Sequence, residues 1–127
     1  MIRLFVVVFL LLVQSVSAEE VEREVKRNQV GWLDSFVYYY KSSCSVSAFP
    51  VPKIKAEPEN GEIIFQKRPM ELTDKAGRCK GKKVKGMVVF YKPNKGFKGQ
   101  DVVRVSYRIV HDGGVTYDYR KYVIDVK

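Results

Sequence analysis

His111 is the only histidine in the chain, and Asp112 follows it directly. An imidazole beside a carboxylate can serve general-base chemistry once a nucleophile converges on it in a pocket. Ser42, Ser43, Ser45, Ser47 and Ser106 offer hydroxyls, but none sits in a G-x-S-x-G elbow. His111-Asp112-Gly113-Gly114 has the composition of a hairpin turn, so His111 reads as an exposed turn residue. Paired carboxylates would suit glycoside hydrolysis. The candidates are Glu57, Glu59, Glu62, Glu71 and Asp74, and the first three flank a Pro58-Glu59-Asn60-Gly61 turn, where carboxylates are solvated. Neither pattern builds an active site, and the expectation is a non-catalytic protein with no cofactor and no bound metal.

Cys44 and Cys79 are the two cysteines. They read as metal ligands, as a nucleophile or as a disulfide, and the compartment decides among these. Metal needs three or four ligands, which one distant histidine does not complete. Met1-Ile2-Arg3 is a short positive start, Leu4 to Val13 is an unbroken apolar run, and Gln14-Ser15-Val16-Ser17-Ala18 turns polar and small. Val16 and Ala18 satisfy the small-residue rule for signal peptidase, so residues 1–18 read as a signal peptide cut after Ala18. The apolar run is short of the about 20 residues of a membrane span. No lipid-accepting cysteine follows it, and no later stretch is apolar enough to span. The mature chain is therefore expected in the periplasm or outside the cell. In that oxidising setting Cys44 and Cys79 are expected to pair, closing a loop whose entropy is worth about 4 kcal/mol. Asn28, Asn60 and Asn94 all lack the hydroxyl of a glycosylation sequon, which favours a bacterial envelope setting.

The net charge of +9 is unevenly placed. Lys75, Arg78, Lys80, Lys82, Lys83, Lys85, Lys92, Lys95 and Lys98 fall between residues 75 and 100 with no acid among them. Outside that window basic and acidic residues balance at 14 each. Its densest part, Lys75–Lys85, is interleaved with Gly77 and Gly81, a composition that predicts a mobile loop. Such a loop can dock an anionic envelope component, a phosphate or a glycan, or it can simply keep the domain soluble. Lysine predominates over arginine, so docking there would be diffuse and salt-sensitive. The spacing of a nucleotide-binding P-loop is absent, and an exported chain meets little nucleic acid, which argues against that partner.

The elements that would carry these residues read as strands. Glu19 to Gln29 is a charged leader with Val21 and Val25 at helical spacing, expected to be a frayed helix or disordered. From Val30 the texture changes. Phe36-Val37-Tyr38-Tyr39-Tyr40 favours a strand, with at least one of its tyrosines partly exposed. Trp32 would cap the open end of the fold. Val51 to Ala56, flanked by prolines, suits a sheet edge. Glu62 to Gln66 resumes as a strand, and Met87 to Tyr91 is apolar throughout, as a covered central strand is. Val103, Val105, Tyr107 and Ile109 alternate with polar residues, as do Tyr122, Ile124 and Val126. About seven short strands with regular turns point to one all-β domain over residues 30–127, an antiparallel β-sandwich.

Several motifs follow one another in a familiar order: Pro58-Glu59-Asn60-Gly61-Glu62-Ile63, Tyr91-Lys92-Pro93, Gly96-Phe97-Lys98-Gly99-Gln100-Asp101, Val103-x-Val105-x-Tyr107, Asp112-Gly113-Gly114 and Tyr122-Val123-Ile124-Asp125-Val126. This segment resembles bacterial immunoglobulin-like and cadherin-like repeat domains. The resemblance implies an Ig-like sandwich, with Gly96, Gly99 and Asp101 shaping a loop and Asp101 bonding its amides. The chain departs from those domains in carrying one copy and no clustered acidic calcium motif. The expected function is a non-catalytic interaction module of the bacterial envelope with an unknown protein partner. The alternatives are a polyanion binder acting through Lys75–Lys85 and a small secreted enzyme inhibitor that inserts that loop into an acidic cleft.

Overall fold

The computed structural model describes residues 18–127. The expected signal segment, apart from Ala18, lies outside the described residues. Nine strands appear in order: β1 (Glu19–Val25), β2 (Gly31–Phe36), β3 (Tyr38–Tyr39), β4 (Val46–Ala48), β5 (Pro50–Ala56), β6 (Gly61–Glu71), β7 (Lys83–Pro93), β8 (Gly99–His111) and β9 (Gly114–Val126). A short 3-10 helix spans Asp74–Cys79. Strands β6 to β9 are longer than the short strands expected, because ladder pairing carries them beyond the core, from Gly61 opposite Pro93 to Glu71 opposite Lys83 and from Gly99 opposite Val126 to His111 opposite Gly114.

A four-stranded sheet runs in the order β1-β9-β8-β5, a three-stranded sheet in the order β2-β7-β6, and β3 pairs with β4. Core residues come from both larger sheets. Val21 and Val25, Val103, Val105 and Tyr107, and Tyr122, Ile124 and Val126 pack with Leu33 and Phe36, Ile63, and Met87, Val89 and Tyr91. Tyr91, Tyr107 and Tyr122 are fully buried, so part of the aromatic excess of the sequence fills the core. The central position of β7 fits its apolar run, and the edge position of β5 fits Pro50 and Pro52. An edge strand has one neighbour only, so a missing N–H on the open side breaks no ladder.

Two expectations are corrected. The charged leader is neither a frayed helix nor disordered. Residues 19–25 form β1, which runs parallel to β9 with Glu19 opposite Arg120 and Val25 opposite Val126. Val21 and Val25 are four apart, a spacing that puts both on one face of a helix and also on one face of a strand. The pairing with β9 decides in favour of the strand. Trp32, expected as an end cap, instead lies opposite Phe90 on the outer side of the three-stranded sheet. It is 48% exposed, its indole N–H donates to Ser35 Oγ at 2.8 Å, and the Arg23 guanidinium sits 4.8 Å above its ring.

Candidate functional site

The residues considered for catalysis do not converge. His111 is exposed, and its Nδ1 accepts a 3.1 Å hydrogen bond from the Gly113 amide of its own turn. Asp112 instead accepts from the Tyr40 hydroxyl at 3.1 Å, and that bond raises the Tyr40 phenol above its ordinary pKa. Glu57, Glu59, Glu62, Glu71 and Asp74 are all exposed. Among the described residues no group of three or more His, Cys, Asp or Glu is placed to hold a metal ion, and no helix is long and apolar enough to cross a membrane.

Cys44 and Cys79 form the disulfide, with Cα atoms 5.5 Å apart. The bond lies beside a small second core in which Leu72, Cys79 and Val84 pack against Val37, Tyr39, Val46 and Ala76. This changes the reading of the basic segment, which is not the mobile loop its composition predicted. Lys75 and Arg78 lie on the 3-10 helix, Lys83 and Lys85 lie in β7, and Lys80 and Lys82 join the two. Backbone hydrogen bonds of 2.8 Å from the Leu72 amide to the Lys82 carbonyl and from the Gly81 amide to the Leu72 carbonyl clamp the turn. Buried apolar groups beneath a glycine- and lysine-rich surface outweigh the local preference for disorder. All six cations are exposed, and Lys80 pairs with Asp74 at 2.6 Å. The result is a cationic platform fixed from below by the disulfide.

Both buried aspartates have structural partners. Asp101 Oδ1 accepts from the Glu59 and Val102 amides at 3.0 and 2.9 Å, and Oδ2 accepts from the Asn60 amide at 2.9 Å and the Tyr91 hydroxyl at 2.8 Å. Asp101, expected to bond amides of its own Gly96–Asp101 loop, instead holds the amides of the Glu59–Asn60 turn that precedes β6. Gly61 is required beside this cluster, because a Cβ there would stand 2.4 Å from the Tyr91 ring. Burial, followed by the hydrogen bond to Asp101, pushes the Tyr91 phenol well up.

The second cluster crosses between the sheets. A β-bulge in β2 lets Leu33 and Asp34 both turn inward. Asp34 Oδ2 accepts from the Arg120 guanidinium and from the Tyr122 hydroxyl at 2.9 Å, and Tyr122 shares a 2.6 Å hydrogen bond with Tyr107. Arg120 also donates to Asp118 at 3.0 Å and lies over the Phe36 ring. Burial works against the Arg120 charge, but the hydrogen bonds to Asp118 and Asp34 outweigh it and raise its pKa. Burial raises the phenols of Tyr107 and Tyr122.

A second cationic surface escaped the sequence reading. Val51 lies opposite Arg108, Lys53 opposite Ser106, Arg108 opposite Tyr117, and Ser106 opposite Tyr119. These residues share the outer side of the four-stranded sheet, whose other side carries Val103, Val105, Tyr107 and Ile109. Two shallow grooves cross it, of about 350 and 380 Å³. Lys53, Lys55, Arg108 and Tyr117 line one, and Lys55, Arg104 and Tyr119 line the other. The available signal was the occupancy of outward alternate positions by Lys53, Lys55, Arg104 and Arg108. A charge count along the chain dilutes it with acids that the fold places elsewhere.

No family model matches the chain, and no curated protein matches it.

Proposed function

We propose that the chain is a non-catalytic, exported interaction module of the bacterial envelope, built on an Ig-like β-sandwich. The strand order supports the Ig-like reading. With β2, β6 and β7 taken as strands B, D and E, the three-stranded sheet has the order B-E-D. With β5, β8 and β9 taken as C, F and G, the other sheet has the order G-F-C, and the first strand is added beside G. The observation that carries the functional reading is the use of Asp34 and Asp101. Both buried carboxylates direct their hydrogen bonds into the scaffold, which leaves the outer surface as the place to act.

The test is recovery of the full chain from a bacterial host followed by mass measurement. A product starting at Glu19 in the periplasm or medium is expected. An intact Met1 on cytoplasmic protein would overturn the export on which the reading depends.

A second reading, polyanion docking through Lys75, Arg78, Lys80, Lys82, Lys83 and Lys85, draws support from the platform. Cations held in place bind with less ordering cost than cations on a loose loop. Under this second reading, retention on heparin at physiological salt is lost when Lys80, Lys82, Lys83 and Lys85 become Gln. Equal retention of the two proteins would reduce the platform to a solubility feature.

A further inference from the structure

We propose that the outer face of the four-stranded sheet binds a linear anionic polysaccharide through Lys53, Lys55, Arg104 and Arg108, with Tyr117 and Tyr119 lying against the sugar rings. This deepens the interaction-module reading and rests on its export. It uses a surface separate from the disulfide-held platform.

The charge pattern of the face is directional. Lys53 and Lys55 lie on β5, and Arg104 and Arg108 lie on its neighbour β8. All four are exposed, and among the described residues none of them is in an ion pair. Arg104 and Arg108 are four residues apart on one strand, about 13 Å, so the cations trace a track rather than a single pocket. The acids of this face lie at the far side, where Glu20 is opposite Lys121, Glu22 opposite Val123 and Glu24 opposite Asp125. Asp118 sits between the two tyrosines in sequence, but it turns away to pair with Arg120. A polyanion is therefore drawn to the β5–β8 side and repelled from β1.

The two tyrosines add a contact that charge alone does not provide. They are 56% and 40% exposed, with ring centroids 6.3 Å apart and planes within 16°. Both line the same grooves as the cations. A compact phosphate would call for donors converging on one point, whereas these cations are spread along strands beside apolar rings. An extended chain of sugars bearing carboxylate or sulfate groups offers both matching features, anions at intervals and apolar ring faces between them. Single-stranded nucleic acid shares the anionic track, but an exported chain meets polysaccharide first.

The test is lysine acetylation footprinting of the full chain with and without heparin and polygalacturonate at physiological salt, read by mass spectrometry. Protection of Lys53 and Lys55, with Lys80, Lys82, Lys83 and Lys85 modified as in the free protein, is expected. Changing Lys53, Lys55, Arg104 and Arg108 to Gln should weaken heparin binding about tenfold or more. Changing Tyr117 and Tyr119 to Ala should weaken it severalfold with little change in salt dependence. An unchanged melting temperature confirms that each variant is folded. Protection confined to the platform, no binding to either polysaccharide, or tighter binding to single-stranded DNA would each overturn the proposal. Protection of Lys53 and Lys55 in a chain that fails to be exported would overturn the envelope reading while leaving the binding surface in place.

Discussion

Tyr91 and Asp101 meet through a 2.8 Å hydrogen bond between the end of β7 and the start of β8. The same carboxylate holds the Glu59 and Asn60 amides of the turn before β6, so three segments distant in sequence close on one buried charge. Segments Pro58–Ile63, Tyr91–Pro93 and Gly96–Asp101, separate in sequence, meet here.

Removing parts of this cluster should cost stability in a graded way. Tyr91→Phe deletes one charge-assisted bond and should cost about 1–2 kcal/mol. Asp101→Ala strands several donors and should cost about 3 kcal/mol or more. Gly61→Ala forces a Cβ into the Tyr91 ring and should cost about 1–3 kcal/mol. Urea denaturation of each variant measures these values, and an Asp101→Ala protein as stable as the parent would refute the account.

The Asp34–Arg120 pair predicts strong coupling. Arg120→Met leaves a buried carboxylate with its cation gone and should cost about 3–5 kcal/mol. Replacing Asp34 with Leu as well should cost less than the sum of the single changes, because no unpaired charge remains. A double-mutant cycle by denaturant unfolding reads the coupling, and additive losses would show that the two residues act independently.

Loss of the disulfide should act locally first. Changing Cys44 and Cys79 to Ala should lower stability by about 2–4 kcal/mol. Hydrogen exchange should quicken around Leu72–Val84 and Tyr39–Val46 while β8 and β9 stay protected, since the second core is separate from the main one. Exchange that rises evenly over the whole chain would contradict that separation.

Alkaline pH should destabilise the fold through its buried phenols. Tyr91, Tyr107 and Tyr122 are all raised in the folded state, while an unfolded tyrosine titrates near about 10. Their contribution is complete below that pH and falls as pH rises through the folded values. The melting temperature should therefore hold to about pH 9.5 and decline above it. A variant with Phe at positions 107 and 122 should be less stable at neutral pH and decline less steeply. Parallel slopes for parent and variant would assign the decline to other groups.

The legible parts of the sequence were those where one strand speaks for itself. Alternation from Val103 to Ile109 and the apolar run from Met87 to Tyr91 marked β8 and β7 because burial alone dictates those patterns. The two cysteines and the expected export together anticipated the disulfide. Val21 and Val25 could not announce β1, since their spacing fits two periods and only β9 chooses between them. The inward turn of Asp34 depends on a bulge, which shifts register without any mark of its own in the composition. The basic segment misled because its outward residues are visible in sequence order while Leu72, Cys79 and Val84, which hold it down, are scattered. The β5–β8 surface was hidden for the opposite reason, its cations being far apart along the chain and adjacent only across the sheet.

The parallel pairing of β1 with β9 sets how the domain would bear mechanical load. Because Glu19 lies beside Arg120 and Val25 beside Val126, the chain enters the sheet at one end and leaves it at the other. A pull on the two ends drags β1 and β9 in opposite directions along their common length. Their ladder hydrogen bonds are then strained together in shear, instead of being peeled one at a time as in a hairpin pulled from its open end. That geometry predicts that resistance to tension is concentrated in those two strands, with release of β1 as a unit expected as the first step of forced extension.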